Sequence, residues 1–272
     1  QAMKLTDYQI LLTNDDGIQS PGLWAAAGAL SELGFVHVVA PRDQFSGAGR
    51  SLPSNSDGII STRQMQVNGK SWTVYSVGGT PAQSVLHAVF EIMPQPPHLV
   101  VSGINYGENV GWGVTVSGTV GAALEAAGRG LPALAVSLET DVEHHLSYSE
   151  EVDFSAAAYF TQYFARLMLA QPMPEDVHVL KVDVPCGATP QTPWEVTRLA
   201  RQAYYEPTAP KRLSFDQPAP IGYRQAGRCE LAASDSDVYA LCVRGIVSVT
   251  PLSLDLTSRV RLEALDSLLR QK

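Results

Sequence analysis

The chain has 272 residues, 45% of them apolar, and a formal net charge of −8. That is enough apolar material for a full globular core, and the acidic balance excludes a nucleic-acid polymer as the main partner, because backbone phosphates require a basic surface. No run approaches the roughly 18 apolar residues of a membrane span, and Gln1 to Gln9 carry no apolar signal core, so a soluble, cytoplasmic protein is expected. The three cysteines, Cys186, Cys229 and Cys242, are widely spaced without a CxxC pair and are expected to be reduced core thiols.

Residues 9–13 read as a strand that runs straight into Asn14-Asp15-Asp16-Gly17. Ser20-Pro21-Gly22 has the form of a helix start, with Ser20 as N-cap and Pro21 at the first helical position. Leu23, Ala26, Ala27, Leu30 and Leu33 follow at spacings of three and four, and Gly34 ends the helix. A second strand over 35–40 leads into Pro41 and a loop. Asn68-Gly69, set between β-rich flanks over 64–77, is a two-residue hairpin signal.

Helical residues after Pro81 lead to the apolar run Leu99-Val100-Val101 and then a glycine-rich loop. A helix over 119–129, a strand over 133–138, a helix over 154–170 and a buried strand over 177–184 are expected next. This alternation implies βαβ units, hence an α/β protein with a mostly parallel sheet covered by helices on both faces. The remainder changes character. Residues 205–227 hold four prolines without periodicity, 243–250 return to a strand pattern, and 260–269 close with an amphipathic helix.

Asp15 and Asp16 place two formal negative charges side by side where a buried strand ends. A hard divalent cation is the natural partner for such a pair; a solvated Asp-Asp-Gly turn is the alternative. In open parallel sheets, ligands bind beyond the carboxyl ends of the strands. Three more loops occupy that edge: Ser46-Gly47-Ala48-Gly49, the run Gly103 to Gly111, and Ser117-Gly118-Thr119 at a helix start. Two carboxylates, a hydroxyl and an amide oxygen make an all-oxygen set that suits Mg²⁺, Mn²⁺ or Ca²⁺ and is poor for zinc. The Ser-Gly-Thr turn offers backbone N–H groups and a positive helix end to a phosphate; read alone, it is also an ordinary N-cap and tight turn. Cation and anion cradle together point to phosphoryl chemistry.

Other motifs are absent. The chain has no GxGxxG, no GxxxxGK[ST] and no GxSxG elbow, which removes dinucleotide-binding, P-loop and α/β-hydrolase readings. His144-His145 are expected to be solvated on an acidic loop, and His37, His87, His98 and His178 to be packed or surface residues.

Asn14-Asp15-Asp16-Gly17-Ile18, Ala40-Pro41 followed by Ser46-Gly47, Gly79-Thr80-Pro81-Ala82, Ser102-Gly103-Ile104-Asn105-Tyr106-Gly107 and Ser117-Gly118-Thr119-Val120 resemble the SurE (survival protein E) family of metal-dependent 5'/3'-nucleotidases, also called acid phosphatases. Weaker echoes are Asp183-Val184-Pro185, Val196-Thr197-Arg198, Asp235-Ser236-Asp237 and Val247 to Leu252. The resemblance implies a Rossmann-like core over 1–200 holding the metal and phosphate site. It also implies a smaller C-terminal extension over 201–272, made of a proline-rich arm, a strand and a terminal helix and used in building homodimers or homotetramers. By the same resemblance one Mg²⁺ or Mn²⁺ would be held by Asp15, Asp16, Ser46 and Asn105, with Asp15, Asp16 and Asn105 catalytic. Asn14, Asn109, Ser117, Gly118 and Thr119 would bind a nucleoside monophosphate, and short polyphosphate is a further substrate of the family. The chain departs from the family pattern at Arg42, where Asp is usual; at Val116, where His or Tyr is frequent; at Asp183, where Asn is usual; and at Arg244-Gly245-Ile246. A non-catalytic nucleotide or phosphate binder that kept the cradle is the rival expectation.

Overall fold

The computed structural model describes residues 8–145, 148–149 and 151–270. Residues 1–7, most of the stretch expected to lack a signal core, lie outside the described residues. The first strand, β1 (Gln9–Thr13), is followed by α1 (Pro21–Leu30), β2 (Phe35–Pro41), the hairpin β3 (Ile60–Val67) and β4 (Lys70–Val77), and α2 (Pro81–His87). Then come β5 (Leu99–Tyr106), α3 (Gly118–Gly128), β6 (Ala133–Leu138), α4 (Ser155–Ala170), β7 (Val179–Val184) and β8 (Trp194–Val196). The chain ends with β9 (Tyr205–Thr208), β10 (Gly222–Gln225), β11 (Val247–Leu252) and α5 (Leu262–Arg270).

Nine strands form one sheet in the order β3-β4-β2-β1-β5-β6-β7-β11-β8. The run from β4 to β7 is parallel throughout, while β3 and β11 pair antiparallel to their neighbours β4 and β7. One face is covered by α1 and α4, around Leu23, Leu30, Phe160 and Phe164. The other is covered by α2 and α3, around Val85, Val120 and Ala123. Burial on both faces explains why the central strands read as continuous apolar runs. The chain leaves β1 toward β2 on one side and reaches β5 on the other, so the strand order reverses between β1 and β5. This is where an α/β sheet opens a crevice for ligands.

The hairpin turns on Asn68 (φ 48°) and Gly69 (φ 73°), the left-handed pair that a two-residue turn requires. Beyond residue 200 the chain does not leave the sheet: β11 lies between β7 and β8.

Three expectations are corrected. Residues 205–227, read as irregular, contain the antiparallel pair β9 and β10, in which Tyr223 faces Pro207. Four-residue strands exposed on their outer face carry no alternation long enough to read. The cysteines are not three reduced core thiols: Cys229 and Cys242 form a disulfide across a Cα–Cα distance of 6.0 Å, and Cys186 is exposed. The turns over 229–231 and 239–243 pack against each other and so bring together cysteines separated by 13 positions; the thiol argument for a cytoplasmic setting falls with them. His145 is not solvated but 8% exposed. Among the described residues, no helix is long and apolar enough to cross a membrane.

Candidate metal and phosphate site

β1 ends at Thr13, and Asn14 then folds the chain back. Its side-chain oxygen accepts the N–H of Gly17 at 3.1 Å and its nitrogen donates to the carbonyl of Gly17 at 3.0 Å. With Gly17 at φ 93°, where a side chain would be strained, this turn points the next two residues into the crevice. Asn14 is fully buried and spends both ends of its amide on the turn, so the structure uses it to shape the Asp pair.

Asp15 and Asp16 are 4% and 1% exposed. Asp15 accepts hydrogen bonds from the Thr119 hydroxyl and from the backbone at Gly118 and Thr119. Asp16 accepts the Tyr106 N–H at 3.2 Å on one oxygen and the Gln44 amide at 3.1 Å on the other. Burial pushes the Asp15 carboxyl up, against these hydrogen bonds. Asp16 is pushed well above the ordinary carboxylate range by burial and then by the charge of Asp15. Two buried, mutually repelling carboxylates are a costly arrangement unless a cation joins them.

The other loops converge on this pair through backbone bonds. The Phe45 N–H donates to the Asp15 carbonyl at 2.8 Å, which brings the turn carrying the exposed Ser46 against β1. The Gly49 N–H donates to the Val116 carbonyl at 2.9 Å and joins the same turn to the start of α3. Asn105, at the end of β5, gives its side-chain nitrogen to the carbonyls of Tyr106 and Gly107 at 3.1 and 2.7 Å, leaving its side-chain oxygen as the atom available for coordination. Two carboxylates, a hydroxyl and an amide oxygen, with hard-donor chemistry and no sulfur, fit a hard divalent cation.

α3 begins against Asp15. Ser117 is its N-cap and accepts the Val120 N–H at 3.1 Å. Gly118 lies so close that a Cβ there would meet the Asp15 Cβ at 2.6 Å. Thr119 is fully buried and committed to Asp15, so it orients the carboxylate. The Asn109 side chain donates to Ser137 Oγ at 2.8 Å, and its N–H donates to Asp183 Oδ1 at 2.8 Å. The residues anticipated from the sequence therefore gather at one edge of the sheet: Asp15, Asp16, Ser46 and Asn105 offer oxygens, Ser117, Gly118 and Thr119 make the start of α3, Asn14 shapes the Asp turn and Asn109 is bonded to Ser137 and Asp183.

The model of the family described as survival protein SurE matches residues 10–206. The chain belongs to the SurE family. It is 44% identical over 262 residues to the 5'-nucleotidase SurE of Thermococcus gammatolerans, covering 96% of each chain. It is 42% identical over 263 residues to the 5'-nucleotidase SurE of Archaeoglobus fulgidus, covering 95% of this chain and 96% of the other. The crystal structure of the SurE protein from Aquifex aeolicus aligns with a TM-score of 0.74 at 31% identity, over 96% of this chain and 99% of that one.

This SurE chain also places residues at the site that no sequence pattern announced. Gln44 bridges Asp16 to the carbonyl of His145 at 2.8 Å, and Tyr148 donates its hydroxyl to the Asp16 carbonyl at 2.5 Å. The His145 ring packs over Gly107 and pairs with the Tyr223 hydroxyl at 3.0 Å; its burial lowers its tendency to take a proton. Buried Glu108 accepts the Tyr205 hydroxyl at 2.5 Å, tying the β9–β10 arm to the same loop. These contacts are long-range and left no pattern in the sequence. A local signal lay elsewhere: Lys181 and Asp183 alternate on one face of an otherwise apolar strand, where they form a buried ion pair.

Proposed function

We propose that this protein is a metal-dependent phosphomonoesterase that hydrolyses nucleoside 5'- or 3'-monophosphates to nucleoside and phosphate, with short polyphosphate as a further substrate. The observation that carries the reading is the buried Asp15–Asp16 pair at the sheet's switch point, directly against the N-terminus of α3. The names of the curated relatives agree with it.

Asp15, Asp16, Ser46 and Asn105 would hold one Mg²⁺ or Mn²⁺. When bound, such an ion polarises a phosphoryl oxygen and makes water a better nucleophile near neutral pH. The protein's own contribution is placement. Thr119 and Gly118 fix Asp15, while Tyr106 and Gln44 fix Asp16. The Ser117 hydroxyl proton and the positive end of α3 would face the phosphoryl group and lower the energy of charge on its equatorial oxygens, while the first-turn N–H groups themselves hold Asp15 and cap the helix. Asn109 stands on the same side, held by Ser137 and Asp183.

The 201–272 segment is proposed to build a homodimer or homotetramer. It exposes Leu213, Phe215 and Leu256 almost completely, and α5 turns Leu262, Leu265 and Leu269 outward along its length. Such apolar surface is characteristic of an interface.

The deciding experiment measures phosphate release from p-nitrophenyl phosphate and a panel of nucleoside monophosphates. EDTA is expected to abolish release, and added Mg²⁺ or Mn²⁺ to restore it. Tight phosphate binding without turnover under any metal would replace the enzyme reading with that of a binding protein.

A further inference from the structure

A second buried charge cluster lies behind the site. Lys181, Asp183 and Asp237 are all 0% exposed. The Lys181 ammonium contacts Asp183 Oδ2 and stands 3.3 Å from Asp237 Oδ2. The carboxylates also face the loop that follows β5. Asp183 Oδ1 accepts the Asn109 N–H at 2.8 Å, and Asp237 Oδ2 accepts the Gly111 N–H at 2.9 Å. Asp237 Oδ1 takes the N–H groups of Ala200 and Val238, each at 2.9 Å. The loop over 105–111 is thus held at two points: Tyr106 on Asp16 at the front, Asn109 and Gly111 on this cluster at the back.

Buried ion pairs contribute little to stability compared with apolar packing of the same volume. What carboxylates offer here is short, charge-assisted acceptance of backbone N–H groups, about twice as strong as that of a neutral acceptor. Two carboxylates facing the same loop would repel each other, and Lys181 is the shared counter-charge.

We propose that Lys181, Asp183 and Asp237 form a positioning cluster for the proposed phosphatase site: Lys181 keeps the two carboxylates together, and they fix the Asn109 and Gly111 amides and so the stance of the 105–111 loop toward Asp15 and Asp16. The cluster contacts none of Asp15, Asp16, Ser46 or Asn105, and it acts through the Asn109 and Gly111 amides. The balance is narrow, because burial lifts the Asp183 carboxyl to about 6 against the pull of Lys181, with the charge of Asp237 adding to the rise. Its kinetic consequence rests on the nucleotidase reading, whereas its structural consequence does not.

Three variants test the proposal by hydrogen–deuterium exchange of the peptide over 105–113 and by steady-state kinetics. Lys181→Met leaves two carboxylates without a cation. Asp183→Ala removes the acceptor for Asn109 while Lys181 and Asp237 remain paired, so it keeps the test alive should Lys181→Met fail to fold. Asp183→Asn retains an acceptor oxygen. The first two are expected to speed exchange in the 105–113 peptide while a peptide over 21–30 stays protected. Both are also expected to raise KM for a nucleoside monophosphate by about 10-fold or more, the usual cost of losing a supporting partner, with kcat less affected. Asp183→Asn is expected to keep most of the protection and most of the affinity. Wild-type exchange and KM in Asp183→Ala would overturn the proposal, as would an Asp183→Asn variant as impaired as Asp183→Ala. A wild-type protein that releases no phosphate would instead remove the nucleotidase reading and leave the exchange result to decide the cluster.

Discussion

Thr119 donates its hydroxyl proton to Oδ1 of Asp15, joining the first turn of α3 to the tip of β1. The helix proposed to face phosphate is thereby the element that aims the carboxylate proposed to hold the cation, and on that reading the two sites move together. Thr119→Val keeps the shape and removes the donor. The expected result is a 10- to 100-fold loss of affinity for Mn²⁺, roughly the cost of losing a hydrogen bond behind a ligand, measured by calorimetry on the metal-free protein. Unchanged affinity would show that Asp15 needs no such guide.

Asp16→Asn is the sharpest activity test. Both Asp16 oxygens accept from donors, Tyr106 on one side and Gln44 on the other. An amide would turn a donor toward one of them and remove the charge. Turnover of a nucleoside monophosphate is expected to fall at least ~100-fold, as on losing a charge-stabilising group, while circular dichroism stays that of the wild type. Near-wild-type phosphate release would take Asp16 out of the mechanism.

Metal-free stability should depend on pH through the same residue. Burial and the neighbouring Asp15 raise the Asp16 carboxyl well above its ordinary 3.8. Between 3.8 and that raised value, the folded protein binds more protons at this position than the unfolded chain does. Its contribution to stability is therefore lost as pH rises through the window. In EDTA, the Tm of Asp16→Asn relative to wild type is expected to climb as pH rises above the ordinary carboxylate value. Saturating Mn²⁺ should abolish that trend, since a cation favours the ionised pair. A difference in Tm that is flat with pH in EDTA would mean that Asp16 is not strained without metal.

Local features of the chain were legible wherever one residue type has one physical use. Pro21 after Ser20, Asn68-Gly69 and the apolar runs of β1, β5 and β6 each specify their element from a few neighbouring residues. The Asp15–Asp16 pair stood out because two carboxylates side by side at a strand end repel each other; a solvated turn was the alternative, and the structure buries both. Cys229 with Cys242, Gln44 with His145 and Lys181 with Asp237 were not, because each meeting depends on where a long connection returns. The β9–β10 arm left no pattern because its strands are only four residues long and β10 is wholly exposed.

Gly118→Ala separates the site from the helix that carries it. Gly118 has ordinary helical backbone angles, so alanine there brings no conformational strain and should favour α3 by propensity. The obstacle is Asp15: the new methyl would stand 2.6 Å from its Cβ and 2.8 Å from its Oδ2. Overpacking of this kind costs about 1–3 kcal/mol, and relief requires Asp15 to move off Thr119. Loss of most phosphate release with a modest fall in Tm is expected. Gly28→Ala in α1 is the control, since its Cβ would meet nothing nearer than the Asn68 side chain at 3.6 Å. That variant should gain roughly 0.5–1 kcal/mol from replacing a mid-helix glycine and keep full activity. If Gly118→Ala behaved like Gly28→Ala, the close packing of α3 on Asp15 would have no bearing on catalysis.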